Sequence, residues 1–200
     1  MTDLVHSLES LPPGPLYALI AVFAAVENIF PPVPADTVVA LGAFLAGRGT
    51  LDAWAVFGLT WTANVGSGAA VYFASHRFGR PFFLGKLGRR LLSEHAMGHI
   101  ERQYHRHGTY GIFLSRLLPV WRGVVMPFAG IAGVPPVRAL VPLALASALW
   151  YGLLTYLVTA LGTNLDAVLR VLARVNGALA VVALASLVGL GLWIWRRPRP

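Results

Sequence analysis

Apolar residues run in long blocks separated by short polar or proline-rich breaks. A helix that crosses a bilayer needs ~20 mostly apolar residues. The first block, Leu16–Phe30, is short, carries Glu27 near its end, and stops at Pro31, Pro32 and Pro34. Proline removes a backbone donor and restricts the residue before it, so a helix should end there. The next block, Ala35–Ala46, covers only ~18 Å as a helix, too little for a hydrocarbon core of ~30 Å. It reads as half of a re-entrant hairpin over about residues 31–48. Ala53–Ser75 is long enough to span, and its Gly, Ala, Ser and Thr allow close helix packing in a membrane. Residues 110–133 are apolar again but broken by Arg116, Pro119, Arg122, Gly123 and Pro127. A lipid-facing helix does not tolerate that, so a second hairpin is expected. Ala139–Leu161 and Gly177–Trp195 complete the spans, the latter anchored by Trp193 and Trp195. The pattern predicts an all-α polytopic membrane protein: one membrane domain over 1–200, about four spans and two re-entrant hairpins.

Composition agrees. Of the 200 residues 56% are hydrophobic and 12% charged, and the mean hydropathy is +0.66. A soluble domain carries ~25% charged residues, so lipid must be part of the solvent here. With no Cys, disulfides, thiol catalysis and Cys-based zinc sites are excluded. No Lys or Arg precedes the first apolar block. That argues against a signal peptide, and the block is expected to stay as a membrane element.

The net charge of +8 fits nucleic acid or anionic lipid until the charges are located. Residues 76–107 carry seven Lys/Arg against two Glu, and three arginines follow Trp195. The rest of the chain is balanced, six against six. Basic residues flanking spans mark the cytoplasmic face, so no nucleic-acid partner is expected. Both termini should be cytoplasmic, and the parity of the spans then requires the hairpins to enter from opposite faces. The hairpins also resemble each other. The distance from Pro32 to Gly47 nearly equals that from Pro119 to Gly133, as in an inverted repeat.

Four charges remain inside apolar stretches: Glu27, Asp36, Arg116 and Arg122. A charge at bilayer depth costs ~2.5–3.5 kcal/mol even on the lenient insertion scale. They persist only if they face one another, water or a ligand. Arginine binds phosphate in a bidentate fashion and stays charged at any cellular pH. Arg116 and Arg122 therefore suit an anionic headgroup, with Glu27 and Asp36 as ion-pair or proton-coupling partners. Pro31, Pro32, Pro34, Pro119 and Gly130 should shape the hairpins. Purely structural ion pairs are the competing reading.

Glu27-Asn28, Pro31-Pro32-x-Pro34-Ala35-Asp36, Phe113-x-Ser115-Arg116-x-x-Pro119-x-x-Arg122 and Ala129-Gly130 together resemble the DedA family of SNARE-associated, VTT-type membrane proteins. The likeness covers roughly residues 15 to 160, including Tyr72, Gly79 and Arg80. It departs at Gly66-Ser67, where many members have Gly-Asp, and at Val134 and Ala139. The resemblance implies two facing re-entrant hairpins in the bacterial inner membrane. It also implies translocation of a phosphate-bearing lipid, undecaprenyl phosphate in some members and phospholipid in others, with proton coupling. Glu27 and Asp36 take the acidic positions, and Arg116 and Arg122 the basic ones. The expected partners are membrane lipids and protons, with no cofactor and no metal. A homo-oligomer is compatible with the sequence.

Weaker signals stand beside these. His95 and His99 stand four apart, a spacing that can bind zinc, but no acid completes a ligand set. Ser67 as a nucleophile lacks a base. A proton- or cation-coupled solute transporter is the alternative function. An intramembrane lipid phosphatase ranks last, so no enzyme is expected.

Overall fold

The computed structural model describes residues 10–30, 33–79, 109–118 and 122–161, with isolated positions between 170 and 185. Every regular element among these residues is helical: α1 Pro13–Val26, α2 Ala35–Gly47, α3 Ala53–Ala74, α4 over 109–116, α5 Arg122–Ile131 and α6 Pro136–Leu161. A single π-helical stretch, Ser75–Gly79, continues α3. The expected helix at 93–107, the span at 177–195, and Pro31, Pro32 and Pro119 lie outside the described residues.

Local chemistry sets the ends. Pro13 opens α1 in the first turn, where its missing N–H costs nothing. Asp52 caps α3 by accepting from the Ala55 N–H at 2.8 Å. Gly49 at φ 83° and Gly133 at φ 67° close α2 and α5, a conformation that glycine adopts without steric cost. Pro136 opens α6, so that helix begins three residues before the sequence expectation. Conversely, α1 ends four residues earlier than expected, at Val26. Glu27 and Asn28 thus leave the helix and form the tip of the α1–α2 hairpin. Pro34 sits just before α2, and its carbonyl accepts from Thr37 N and Val38 N.

α6 is the one described helix both long and apolar enough to cross a bilayer. α3 has 22 residues, ~33 Å, but its buried stripe is polar at Thr60 and Asn64. α1 and α2 have 14 and 13 residues, about 20 Å each.

α6 is built inside out relative to a soluble helix. Ala139, Leu143, Ser147, Tyr151 and Thr155, four apart, are buried. Val141, Leu145, Leu149 and Leu153, on the opposite face, are exposed. Polar groups inside and aliphatic groups outside is the arrangement that hydrocarbon solvent favours. Two apolar cores flank the centre. One gathers Leu16, Ile20, Val39, Leu45 and Val56. The other gathers Tyr72, Ile112, Met126, Ala129 and Leu143. Gly130 lets α5 touch α3: a Cβ there would stand 2.5 Å from the Tyr72 carbonyl oxygen and 2.9 Å from the His76 nitrogen.

Candidate functional site

Between the two cores lies a buried polar cluster built from the α1–α2 connection, α2, α3, α4, α5 and α6. Glu27 comes from the tip of the α1–α2 hairpin and Asp36 from the first turn of α2. Arg116 ends α4, and Arg122 is the first residue of α5. All four are at most 7% exposed. The structure thus brings together the four charges that the sequence singled out.

The two arginines are held differently. Arg122 Nη1 donates to Glu27 Oε1 at 3.2 Å and to Asp36 Oδ1 and Oδ2 at 3.0 and 3.1 Å. Its guanidinium lies 4.4 Å from the centre of the Trp150 ring, within cation–π range. Trp150 Nε1 also donates to Asp36 Oδ1 at 2.9 Å. Arg122 Nη2 is buried and has no hydrogen-bond partner among the described residues.

Arg116 pairs with neutral acceptors instead. Nη1 donates to Asn28 Oδ1 at 2.7 Å and Nη2 to Asn64 Oδ1 at 2.6 Å, with Ser147 Oγ at 3.3 Å. The arginines also clamp each other's backbone: Arg122 Nε donates to the Arg116 carbonyl at 3.0 Å, and Arg116 Nη1 to the Arg122 carbonyl at 2.9 Å. This reciprocal pair ties the end of α4 to Arg122 on α5. Arg116 also sits at the C-terminal, negative pole of α4, where a cation is favoured.

Sequence reasoning missed the amides and hydroxyls that organise the cluster. Asn64 stands between the opposite charges. Its Oδ1 accepts from Arg116 and from Ser147 Oγ at 2.9 Å. Its Nδ2 donates to the Ala24 carbonyl and to Tyr151 Oη at 3.2 Å, and to Glu27 Oε2 at 3.4 Å. Tyr151 Oη donates to Glu27 Oε2 at 2.5 Å. The available signal was a lone Asn inside an apolar 22-residue helix. Ser67 has a structural role: it accepts from Asn28 Nδ2 at 2.8 Å and donates to the Asn64 carbonyl at 3.1 Å. No group of three or more His, Asp or Glu among the described residues could hold a metal, and His95 and His99 fall outside them.

The VTT domain matches residues 33–160, most of the described fold. The chain belongs to the VTT-domain (DedA) family. Undecaprenyl phosphate transporter A of Bacillus subtilis is 31% identical over 154 residues, 75% of this chain and 74% of that one. An uncharacterized membrane protein of Mycobacterium tuberculosis is 29% identical over 161 residues, 78% and 73% of the two chains. An alkaline phosphatase-like protein of Lactococcus lactis is 26% identical over 190 residues, 90% and 87%. No solved structure matches. As a VTT-domain protein the chain is a membrane protein.

Within this VTT domain the carboxylates lie beside the N-terminus of α2. Asp36 is the second residue of α2 and Arg122 the first of α5. The first turn of α2 thus brings Asp36 to the Arg122 guanidinium, at the helix pole that favours a carboxylate. The anions that Arg122 holds are the carboxylates of Glu27 and Asp36.

Proposed function

We propose that this VTT-domain protein carries a phosphate-bearing lipid across the bacterial inner membrane, as a carrier rather than an enzyme. The cargo is undecaprenyl phosphate or a phospholipid, and the phosphate displaces the carboxylates from Arg122. One observation carries the reading. Arg122 is buried, bound to two carboxylates through one nitrogen, and has Nη2 without a partner among the described residues. Its unused donor suits a phosphate oxygen, since arginine binds phosphate through two parallel N–H groups. The printed name of the Bacillus subtilis relative supports a lipid phosphate as cargo.

The scaffold fits this role. α1 and α2 are too short to cross and pair as one re-entrant hairpin; α4 and α5 pair as the other. The hairpins dip from opposite faces, with both termini cytoplasmic. Two carboxylates and two arginines make the empty cluster neutral. An incoming phosphate makes it negative by at least one unit. Proton uptake by Glu27 or Asp36 restores neutrality, which couples lipid movement to protons.

In liposomes containing a headgroup-labelled lipid phosphate, the wild type should speed exchange of label between leaflets, read by quenching from outside. Arg122→Lys keeps the charge but not the fork, and Glu27→Gln removes a carboxylate. Each should slow exchange by about 10²-fold, the scale of a misplaced binding group. Full activity in both variants, at normal protein levels, would rule the reading out.

A further inference from the structure

The polar cluster does not end at Glu27. Thr60 and Thr155 are 0% and 4% exposed, and the hydroxyl of each has no hydrogen-bond partner among the described residues. A helical threonine ordinarily returns its hydroxyl to the carbonyl four residues back, as Thr62 does to Gly58 at 2.7 Å. An unpaired buried hydroxyl costs ~1–3 kcal/mol. Two of them in one helix interface call for a common partner.

Their placement identifies it. α3 and α6 run antiparallel: Gly68 faces Leu143, Asn64 faces Ser147, and Phe57 packs on Gly152. Thr60 is one turn from Asn64 on the buried stripe of α3. Thr155 is one turn from Tyr151 on the buried stripe of α6. Both turns lead in the same direction, toward the α2–α3 loop. One more turn along α6 is Thr159, whose Oγ1 donates to the Ala43 carbonyl at 3.1 Å. Thr159 also lies against Gly47, at the end of α2: a Cβ on that glycine would stand 2.9 Å from the Thr159 carbonyl. Tyr151, Thr155 and Thr159 thus stand at four-residue spacing along α6, from Glu27 toward the loop. At the inner end Tyr151 Oη donates a hydrogen bond to Glu27 Oε2 and accepts one from Asn64. A phenol oxygen has two lone pairs, so it can also accept from water.

We infer that Thr60, Thr155 and Tyr151 hold water in a proton relay that feeds Glu27 from the α2–α3 loop side of the membrane. Two or more polar partners are what a buried water requires. In the transfer step the Tyr151 O–H bond breaks as an O–H bond forms on Glu27 Oε2. The phenol oxygen takes a proton from the water beside it, and that water is reprotonated from solvent along the threonine hydroxyls. The net change is one proton moved from solvent to Glu27. The value of this relay to the protein rests on the proposed lipid carriage, but its existence does not.

The test follows deuteration of the Glu27 carboxyl by infrared spectroscopy of the whole protein in liposomes after transfer to heavy water. The band is assigned by its loss in Glu27→Gln. The double variant Thr60→Val and Thr155→Val keeps volume and removes both hydroxyls. It should slow deuteration by about 10²-fold, the low end of what a positioned proton carrier contributes. Restoring a hydroxyl with Thr155→Ser should recover most of the rate. An unchanged rate in the double variant would overturn the relay, as would absence of a protonated Glu27 band throughout an acid titration. If the wild type failed to speed lipid exchange while the double variant still slowed deuteration, the carrier reading would fall and the relay would stand.

Discussion

Arg122→Ala is expected to destabilise the protein more than any other single change in the cluster, and to abolish lipid exchange. The substitution leaves Glu27 and Asp36 buried without their cation. Breaking a buried pair by removing one partner costs ~3–5 kcal/mol, because an uncompensated charge remains. It also removes the cation from the Trp150 ring and the Nε bond to the Arg116 carbonyl at the end of α4. Charge counting makes a sharper test. Arg122→Ala leaves two carboxylates against Arg116. Adding Asp36→Asn restores neutrality, so the double variant should melt higher than Arg122→Ala alone. The coupling is read from thermal unfolding of the two single variants and the double variant in detergent. Additive losses would show that the carboxylates do not lean on Arg122. Exchange should stay abolished in the double variant, because no guanidinium has returned.

Asn64→Leu should come second. Leucine has a similar volume and no polar atoms, so packing against Ala24 and Tyr151 is largely retained. What goes is the acceptor for Arg116 Nη2 and for Ser147, and the donor shared by Glu27 and Tyr151. Stranding a buried donor costs ~1–3 kcal/mol and more for a charged one. About 3 kcal/mol of lost stability is therefore expected, again read by thermal unfolding. Asn64→Asp would act in the opposite electrostatic sense. It supplies Arg116 with a carboxylate and sets a like charge beside Glu27. A milder loss in Asn64→Leu than in a surface control such as Thr62→Val would show that Asn64 merely fills space.

Much of this arrangement was legible in the sequence because bilayer depth makes charge conspicuous. Glu27, Asp36, Arg116 and Arg122 each interrupt an apolar run, and each lies in the cluster. Their pairing was not legible. Sequence symmetry suggests two acids facing two arginines. In the structure both carboxylates reach Arg122 while Arg116 takes Asn28, Asn64 and Ser147, because uncharged side chains in apolar runs do not announce themselves. Helix ends were missed where proline reads two ways. Pro136 looks like a boundary but opens α6, since the first turn of a helix tolerates it. The Glu27 to Phe30 stretch looks helical by composition, yet it leaves the helix because Glu27 and Asn28 find their partners on other elements.

The central claim is that Arg122 exchanges protein carboxylates for a lipid phosphate. The most direct measurement is the separation between the guanidinium nitrogens of Arg122 and the phosphorus of a bound lipid phosphate. Solid-state dipolar recoupling can read it on arginine-labelled protein in liposomes, with Arg122→Lys as the assignment control. The account predicts a coupling that corresponds to direct contact, about 4 Å, as two N–H groups on one phosphate require, and its loss in Arg122→Lys. A bound lipid phosphate whose phosphorus shows no coupling to Arg122 would contradict it.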